Sequence, residues 1–112
     1  MSEGKGIYYF NNGDKYESDF KNGKREGKGI YYFNDGERYE GDLINGYFEG
    51  KGIFYYINGD RYEGDFKKYE REGKGIMYFN DGDRQMGDFL NEEPIGKHVL
   101  LKNNGEIETI NY

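Results

Sequence analysis

Apolar and polar residues alternate along the chain in short stretches that end at glycines. "GIYYF" or a close variant is followed by Asn-Asn-Gly, Asn-Asp-Gly or Ile-Asn-Gly, and then by "DKYESDF" or its equivalent. Aromatic and β-branched residues favour strands, and Asn and Gly tolerate the positive φ angles of tight hairpin turns. No stretch has the 3.6-residue period of an amphipathic helix. The pattern therefore predicts consecutive β-hairpins and an all-β fold.

The hairpin pattern recurs every 23 residues without an insertion, and "EGKGI" occurs four times. A fixed period of this size is the mark of a repeat architecture. We therefore expect one domain over residues 1–112, without a linker. Its predicted units are 3–25, 26–48, 49–71 and 72–94, followed by a partial unit at 95–112.

A turn centred on Asn12 and Gly13 predicts how the two strands of a hairpin pair. It sets Phe10 opposite Lys15 and Tyr9 opposite Tyr16. Because side chains alternate between the faces of a strand, this register separates an apolar from an amphipathic face. The apolar face then carries Ile7, Tyr9, Tyr16, Ser18 and Phe20. The other face carries Tyr8, Phe10, Lys15, Glu17 and Asp19.

The same parity assigns a packing role to the glycines of the later units. Gly41, Gly64 and Gly87 fall on the apolar face between large side chains. A missing side chain leaves room for a neighbouring ring to lie flat across the strand. On the opposite face, the parity predicts cation–ring pairs, each contributing about 0.5–1 kcal/mol. These predicted pairs are Phe33–Arg38, Tyr56–Arg61 and Phe79–Arg84.

Composition supports a folded chain whose core is built from rings. Hydrophobic residues make up only 34% of the 112 residues, but aromatic residues reach 19%. Disordered chains are poor in aromatic residues, whereas this one has them at regular spacing. The net charge of -6 argues against a nucleic-acid partner and against simple binding to anionic membranes. There is no cysteine and no apolar signal segment, so a cytoplasmic location is expected.

Short motifs that could carry chemistry have simpler interpretations. "GKG" lacks the spacing and the Ser or Thr of a phosphate-binding P-loop, and "NDGERYEGD" lacks the ligand order of an EF-hand. His98 is the only histidine and has no cysteine partner, which favours a structural or surface role. Paired carboxylates such as Glu40 and Asp42 are interpreted as solubility charges. We therefore predict no enzyme, no cofactor and no metal site.

The repeated phrase resembles a known family. "YEGDF", "NGKREGKGIYYFNDGERYEGD" and the 23-residue period are similar to MORN repeats, the membrane occupation and recognition nexus motif, over about residues 3–94 and more weakly over 95–112. The resemblance implies an elongated, twisted, single-layer antiparallel sheet. It also implies scaffold or targeting roles in cytoskeletal, ciliary or membrane-associated assemblies, with phospholipid binding and dimerisation through the repeats.

The sequence departs from the repeat in three places. Gln85 replaces the expected Tyr and Met86 the expected Glu, while Tyr69 stands where a Gly is expected. The last unit, "GKHVLLKNNGEIETINY", loses the phrase altogether. These departures argue against any function that needs every repeat to be equivalent.

The aromatic face and the ends of the sheet are the candidate partner surfaces. An uncovered apolar face marks a binding surface, although the Tyr16, Tyr39 and Tyr62 row could equally pack within the chain. Open edge strands favour pairing with a partner or a second copy. In the last unit, the parity sets four apolar residues on one face, where they would form an end cap or a dimer contact: Val99, Leu101, Ile110 and Tyr112. The candidate residues are Tyr16, Tyr39, Tyr62, Phe66, Phe89, Val99, Leu101, Ile110 and Tyr112.

Three hypotheses for function follow. The leading one is a non-catalytic scaffold that binds protein partners, in a cytoskeletal or ciliary assembly if the resemblance holds. The alternative is binding of anionic phospholipid by the row Lys15, Arg38, Arg61 and Arg84, although Glu17, Glu40 and Glu63 run beside it. Recognition of carbohydrate or choline by aromatic repeats is disfavoured, because the chain has no Trp.

Overall fold

The computed structural model is one open antiparallel sheet of ten strands that follow one another in sequence order. It describes residues 4–21 and 24–112, with side chains described for 6–18 and 27–112. The strands are β1 (Gly4–Tyr9), β2 (Lys15–Lys21), β3 (Lys24–Tyr32), β4 (Arg38–Ile44), β5 (Tyr47–Tyr55), β6 (Arg61–Lys67), β7 (Glu70–Tyr78), β8 (Arg84–Leu90), β9 (Glu93–Leu101) and β10 (Ile107–Asn111). The ribbon measures 52 × 23 × 21 Å. The predicted all-β sheet of consecutive hairpins is confirmed.

The turn inside each unit is a three-residue loop. In the second unit, the Phe33 N–H donates to the Glu37 carbonyl at 2.9 Å and the Gly36 N–H donates to the Phe33 carbonyl at 3.1 Å. Gly36 has a φ of 101°. A three-residue hairpin loop of this type ends in a residue with a positive φ, and Gly36 is that residue. The predicted turn position is therefore confirmed, but the loop is one residue longer than a two-residue hairpin turn.

The longer loop changes the pairing register. Tyr9 lies opposite Lys15, and Tyr8 lies opposite Tyr16, so the predicted pairing of Phe10 with Lys15 is wrong. A shift of one residue moves every side chain of a strand to the other face. Ile7 and Tyr9 accordingly lie on the outer face, while the Tyr8 ring packs 4.8 Å from Phe10, which packs on Tyr31 in the core face. The predicted faces hold for the second strand of each hairpin and are wrong for the first, while the side chain of Phe20 lies outside the described ones.

The corrected register defines two faces. The core face holds the buried side chains Tyr16, Tyr39, Leu43, Phe48, Tyr62, Phe66, Phe89 and His98. The outer face carries three rows that run along the ribbon. The tyrosine–cation row is Tyr9, Lys15, Tyr32, Arg38, Tyr55, Arg61, Tyr78 and Arg84. The isoleucine–glutamate row is Ile7, Glu17, Ile30, Glu40, Ile53, Glu63 and Ile76. The lysine–aspartate row is Lys28, Asp42, Lys51, Asp65, Lys74 and Asp88.

Glycines make room for the rings of the core face. The ones directly beneath the tyrosine rings are Gly52 and Gly75, whereas the predicted Gly41 and Gly64 lie beside the phenol oxygens of those rings. A Cβ added to Gly52 would lie 2.5 Å from Cε1 and from Oη of Tyr39, so the ring lies directly on the strand. Its phenol donates to the Asp42 carbonyl at 2.8 Å. Tyr62 lies on Gly75 in the same way in the next unit. The rings therefore pack within the sheet, and the glycines supply the space for them.

The turns between units are two-residue turns with positive φ at both positions. Asn45 and Gly46 have φ angles of 53° and 82°, and Lys68 and Tyr69 have 48° and 75°, as in a type I′ turn. Tyr69 adopts this conformation although it has a Cβ. Its phenol donates to the Gly46 carbonyl at 2.9 Å, and its ring packs edge-on against Phe48 at 4.9 Å. The corresponding turn of the first unit lies partly outside the described residues.

Hydrogen bonds also join the turns of successive units along one edge of the ribbon. The Asn34 N–H donates to Oδ1 of Asp14 at 2.7 Å, and its Nδ2 donates to the Asn12 carbonyl at 2.6 Å. Burial would raise the pKa of Asp14, but hydrogen bonds from the Tyr31 phenol, the Asn34 N–H and the Asn12 side chain lower it below its ordinary value. The same contacts recur between Asn80 and Asp60 and between Asn103 and Asp83.

One of these turn-to-turn contacts lacks the side-chain hydrogen bond. Ile57 occupies the asparagine position of the third unit, and only its N–H bonds to the preceding turn, at 3.2 Å from Oε2 of Glu37. Replacing Ile57 by asparagine should let the amide donate to the Asp35 carbonyl and stabilise the fold by about 1 kcal/mol. Urea denaturation would measure this. Ile57→Ser is the control, because its side chain is too short to reach, and equal stability of the two variants would contradict the expectation.

Candidate functional site

Most of the predicted aromatic binding residues belong to the core. Tyr16, Tyr39 and Tyr62 are 0% exposed, and Phe66 and Phe89 are 4% exposed. Burial, followed by the nearby Asp42 carboxylate, raises the pKa of the Tyr39 phenol, which keeps its proton and donates it to the backbone. Of the two interpretations of this row, packing within the chain is the one that the structure supports.

The predicted apolar cluster of the last unit is divided between the two faces. Ile110 lies opposite the buried His98, and the Tyr112 ring meets the His98 ring edge-on at 4.9 Å. Val99 and Leu101 lie on the outer face instead, so the predicted grouping of all four is wrong. Its cause is the same three-residue loop, here closed by Gly105. Pairing of end strands between two copies stays a prediction.

His98 and Gln85, two departures from the repeat, contact each other in the structure. His98 fills the space above Gly87, where an added Cβ would lie 2.5 Å from its Cγ and Nε2. Nε2 donates to the Asp88 carbonyl at 2.9 Å, and Nδ1 accepts from Nε2 of Gln85 at 3.1 Å. A carbonyl can only accept, which fixes this tautomer. In the earlier units a tyrosine ring fills this space and its phenol makes the equivalent bond.

A continuous groove runs along the outer face. Three open cavities of about 760, 440 and 420 Å³ follow one another, and neighbouring cavities share lining residues. One wall is the isoleucine–glutamate row and the other is the lysine–aspartate row. We call this surface the glycine groove, because its floor is the backbone of Gly29, Gly41, Gly52, Gly64, Gly75 and Gly87.

Charges beside the glycine groove are largely paired. The Arg38 guanidinium stacks at 4.1 Å on the Tyr55 ring and lies 2.9 Å from Glu40. Arg61 repeats both contacts, with Tyr78 at 4.1 Å and Glu63 at 3.3 Å. The stacking partners are therefore these tyrosines, and the pairs predicted from the shifted register are wrong.

The predicted lipid-binding cations do form one row, but three of the four have carboxylate partners. Besides Arg38 and Arg61, Lys15 lies 3.9 Å from Glu17. In the lysine–aspartate row, Lys28 lies 2.7 Å from Asp42 and Lys51 lies 2.6 Å from Asp65. Such paired charges attract an anionic surface weakly, which does not favour phospholipid binding.

The fourth cation of the row differs from the others. Met86 replaces the glutamate that would pair with Arg84, and Leu101 replaces the tyrosine on which it would stack. Within residues 6–18 and 27–112, Arg84 has neither an ion pair nor a ring contact. Met86 is 39% exposed and Ile107, opposite Leu101, is 70% exposed. The sequence identifies Met86 as a departure from the repeat. Only the pairing of β8 with β9 shows that it lies near Leu101.

Metal binding has no set of ligands among the described side chains. Among them there is no group of three or more His, Cys, Asp or Glu that could hold a metal ion. No helix of the described part is long and apolar enough to cross a bilayer. What the described part offers is an extended groove along which most charged side chains of the second and third units are paired.

Fold and groove together define a β-hairpin repeat protein. The family model for the MORN repeat matches residues 1–15, 16–38, 39–61 and 62–84. The chain therefore belongs to the MORN-repeat family, as the resemblance predicted. The MORN repeat is a non-enzymatic repeat module. A search of curated proteins finds no match to the chain.

A solved structure with the same fold is the TCP domain of SAS-4 (dCPAP) from Drosophila melanogaster, in complex with a Proline Rich Motif of Ana2 (dSTIL). The superposition has a TM-score of 0.65 and covers 98% of this chain at 16% identity. It covers 61% of the SAS-4 chain, so this chain corresponds to less than two thirds of that domain. At this identity the likeness shows the fold alone.

Proposed function

We propose that the chain is a non-catalytic protein-interaction scaffold that holds an extended, proline-rich partner segment in the glycine groove. The observation that carries the proposal is the continuity of the groove along the outer face. The SAS-4 neighbour, which is in complex with a proline-rich motif, lends support from a similar sheet. A place in a cytoskeletal or ciliary assembly, and a cytoplasmic location, are part of the proposal and rest on the family resemblance and the sequence.

The repeat of the groove matches the repeat of a polyproline II helix. Such a helix rises about 3.1 Å per residue with three residues per turn, or about 9.3 Å per turn. Neighbouring strands are about 4.7–4.9 Å apart, so each hairpin advances the groove by about 9.4–9.8 Å. A bound segment that runs along the ribbon therefore presents the same side to Ile30, Ile53 and Ile76 in turn.

Hydrogen bonding in the floor also favours proline. The floor glycines belong to strands paired on both sides. Where the pairing shifts register beside Gly41, Gly64 and Gly87, the carbonyls of Asp42, Asp65 and Asp88 accept from side chains of the core face instead. A partner with many N–H groups would find few acceptors there and would leave donors unsatisfied where it loses water. Proline has no N–H. The ion pairs in both walls of the second and third units likewise favour an uncharged segment.

Fluorescence anisotropy with a labelled peptide of five Pro-Pro-Ala repeats tests the proposal. We expect it to bind more tightly than a Gly-Ser-Ala peptide of equal length. Ile53→Gln, in the groove wall, should weaken binding about fivefold, the loss of roughly 1 kcal/mol of apolar contact. Ile44→Gln is the matched control, because Ile44 is exposed and lies outside the groove. Equal binding of the two peptides, or equal effects of the two variants, would contradict the proposal.

A further inference from the structure

We propose that Arg84 and the apolar side chains around it form an anchor for an acidic residue of the partner segment, next to an apolar one. The proposal rests on the function proposed above and adds a charged end to the uncharged segment. We call this site the Arg84 anchor, consisting of Arg84, Met86, Val99, Leu101 and Ile107.

The anchor arises because one unit lacks both contacts that the others use to hold the cation. In the third unit, Arg61 has Glu63 at 3.3 Å and the Tyr78 ring at 4.1 Å. In the fourth unit, these positions are Met86 and Leu101. Over residues 6–18 and 27–112, the structure gives Arg84 no carboxylate and no ring. The guanidinium thus keeps its donors for an external acceptor.

The surroundings of Arg84 suit a carboxylate that sits beside an apolar side chain. Arg84 lies opposite Leu101 and Met86 lies opposite Val99, across β8 and β9. Leu101 in turn lies opposite Ile107 on β10. A guanidinium next to aliphatic surface is less hydrated than one in open water, which strengthens a bidentate bond to a carboxylate. The apolar neighbour would cover Met86 and Ile107, which are exposed in the free chain.

Charge complementarity and position together point to a partner's acidic residue. Met86 and the neighbouring Ile76 line the last cavity of the glycine groove, so the anchor continues that surface. Three acidic residues lie at this end: Asp83 accepts from the Asn103 N–H at 2.9 Å, Glu108 pairs with Lys102, and Asp88 lies opposite Lys74 in the wall of the last cavity. Where the second and third units place ion pairs along the groove, the fourth unit therefore offers an available cation at Arg84.

Binding of matched labelled peptides tests the anchor. Five Pro-Pro-Ala repeats carry Leu-Glu or Leu-Gln, placed at the N-terminal end in one set and at the C-terminal end in another. Gly-Ser-Ala peptides of equal length carry the same pairs at the same ends. The unmodified chain should bind the better-placed Leu-Glu peptide about tenfold more tightly than its Leu-Gln partner, as a charge-assisted hydrogen bond provides. This preference should shrink as salt is raised.

Three variants locate the effect. Arg84→Gln should remove the preference for Leu-Glu. Met86→Glu should also remove it, because it restores the glutamate that pairs with the cation in the other units. Arg61→Gln is the matched control and should keep it. All three positions lie on the outer face, so the fold should persist, which circular dichroism would check. Equal binding of Leu-Glu and Leu-Gln at both ends, or loss of the preference in Arg61→Gln, would overturn the anchor.

The outcomes separate the two proposals. Binding of every proline peptide without a preference for Glu overturns the anchor and leaves the proline groove standing. A preference for Leu-Glu on a Gly-Ser-Ala carrier, with no gain from proline, overturns the proline groove and supports the anchor. Absence of binding to every peptide overturns both.

Discussion

Replacing Gly52 by alanine should lower the free energy of unfolding by about 3 kcal/mol, the upper part of the usual range for an added methyl group in a packed core. The new Cβ would lie 2.5 Å from the Tyr39 ring. That ring cannot move away easily, because it is stacked at 3.8 Å on the Phe48 ring and its phenol donates to the Asp42 carbonyl. Away from such contacts, alanine is no worse than glycine in a strand, so the sign of the change identifies the ring as its cause.

Urea denaturation of Gly52→Ala in two backgrounds checks this explanation. In Tyr39→Leu, the smaller and more flexible side chain can give way, and we expect the alanine to cost less than about 0.5 kcal/mol. The two substitutions then interact, and their combined cost is smaller than the sum. A cost of the same size in both backgrounds would place the strain in the backbone instead of the ring.

Repeat period, turn positions and the single sheet could all be predicted from the sequence, because a 23-residue recurrence of Gly and aromatic residues is a strong pattern. The faces of the first strands could not. "Asn-Asn-Gly" is compatible with a two-residue and with a three-residue loop, and the two differ by one residue in register. The bond from the Phe10 N–H to the Asp14 carbonyl decides between them, and the sequence does not show it.

The candidate site depends on that register more than the fold does. Tyr55 and Arg38 are neighbours only because β4 pairs with β5 as it does. Arg84 and Leu101 come together only across β8 and β9. One signal was available in the sequence: the fourth cation position loses its Glu two residues later and its Tyr 17 residues later, both within one period. Because both missing residues are partners of the same cation position, their joint loss indicates Arg84.

Substitutions at Gln85 and His98 should produce the second large change in the free energy of unfolding. His98→Gly should cost about 3 kcal/mol, because it empties the space of a fully buried ring. It also removes the partner of the Asp88 carbonyl and one of the two partners of the Gln85 amide, which keeps its bond to the Tyr112 phenol. Gln85→Tyr alone should cost about 2 kcal/mol, because its ring would compete with the imidazole for the space above Gly87.

Combining the two substitutions should recover most of the loss, to within about 1 kcal/mol of the unmodified chain. The double variant restores the arrangement of the third unit, where the Tyr62 ring lies on Gly75 and its phenol donates to the Asp65 carbonyl at 3.1 Å. Gln85→Phe with His98→Gly is the control, because a phenyl ring fills the space but cannot donate. It should recover less than the tyrosine does, by about the 1 kcal/mol of one buried hydrogen bond. Thermodynamic cycles from urea denaturation measure both. Additive costs would show that each residue supports the sheet separately, whereas recovery shows that the fourth unit keeps the packing of the repeat with its ring supplied by the neighbouring strand.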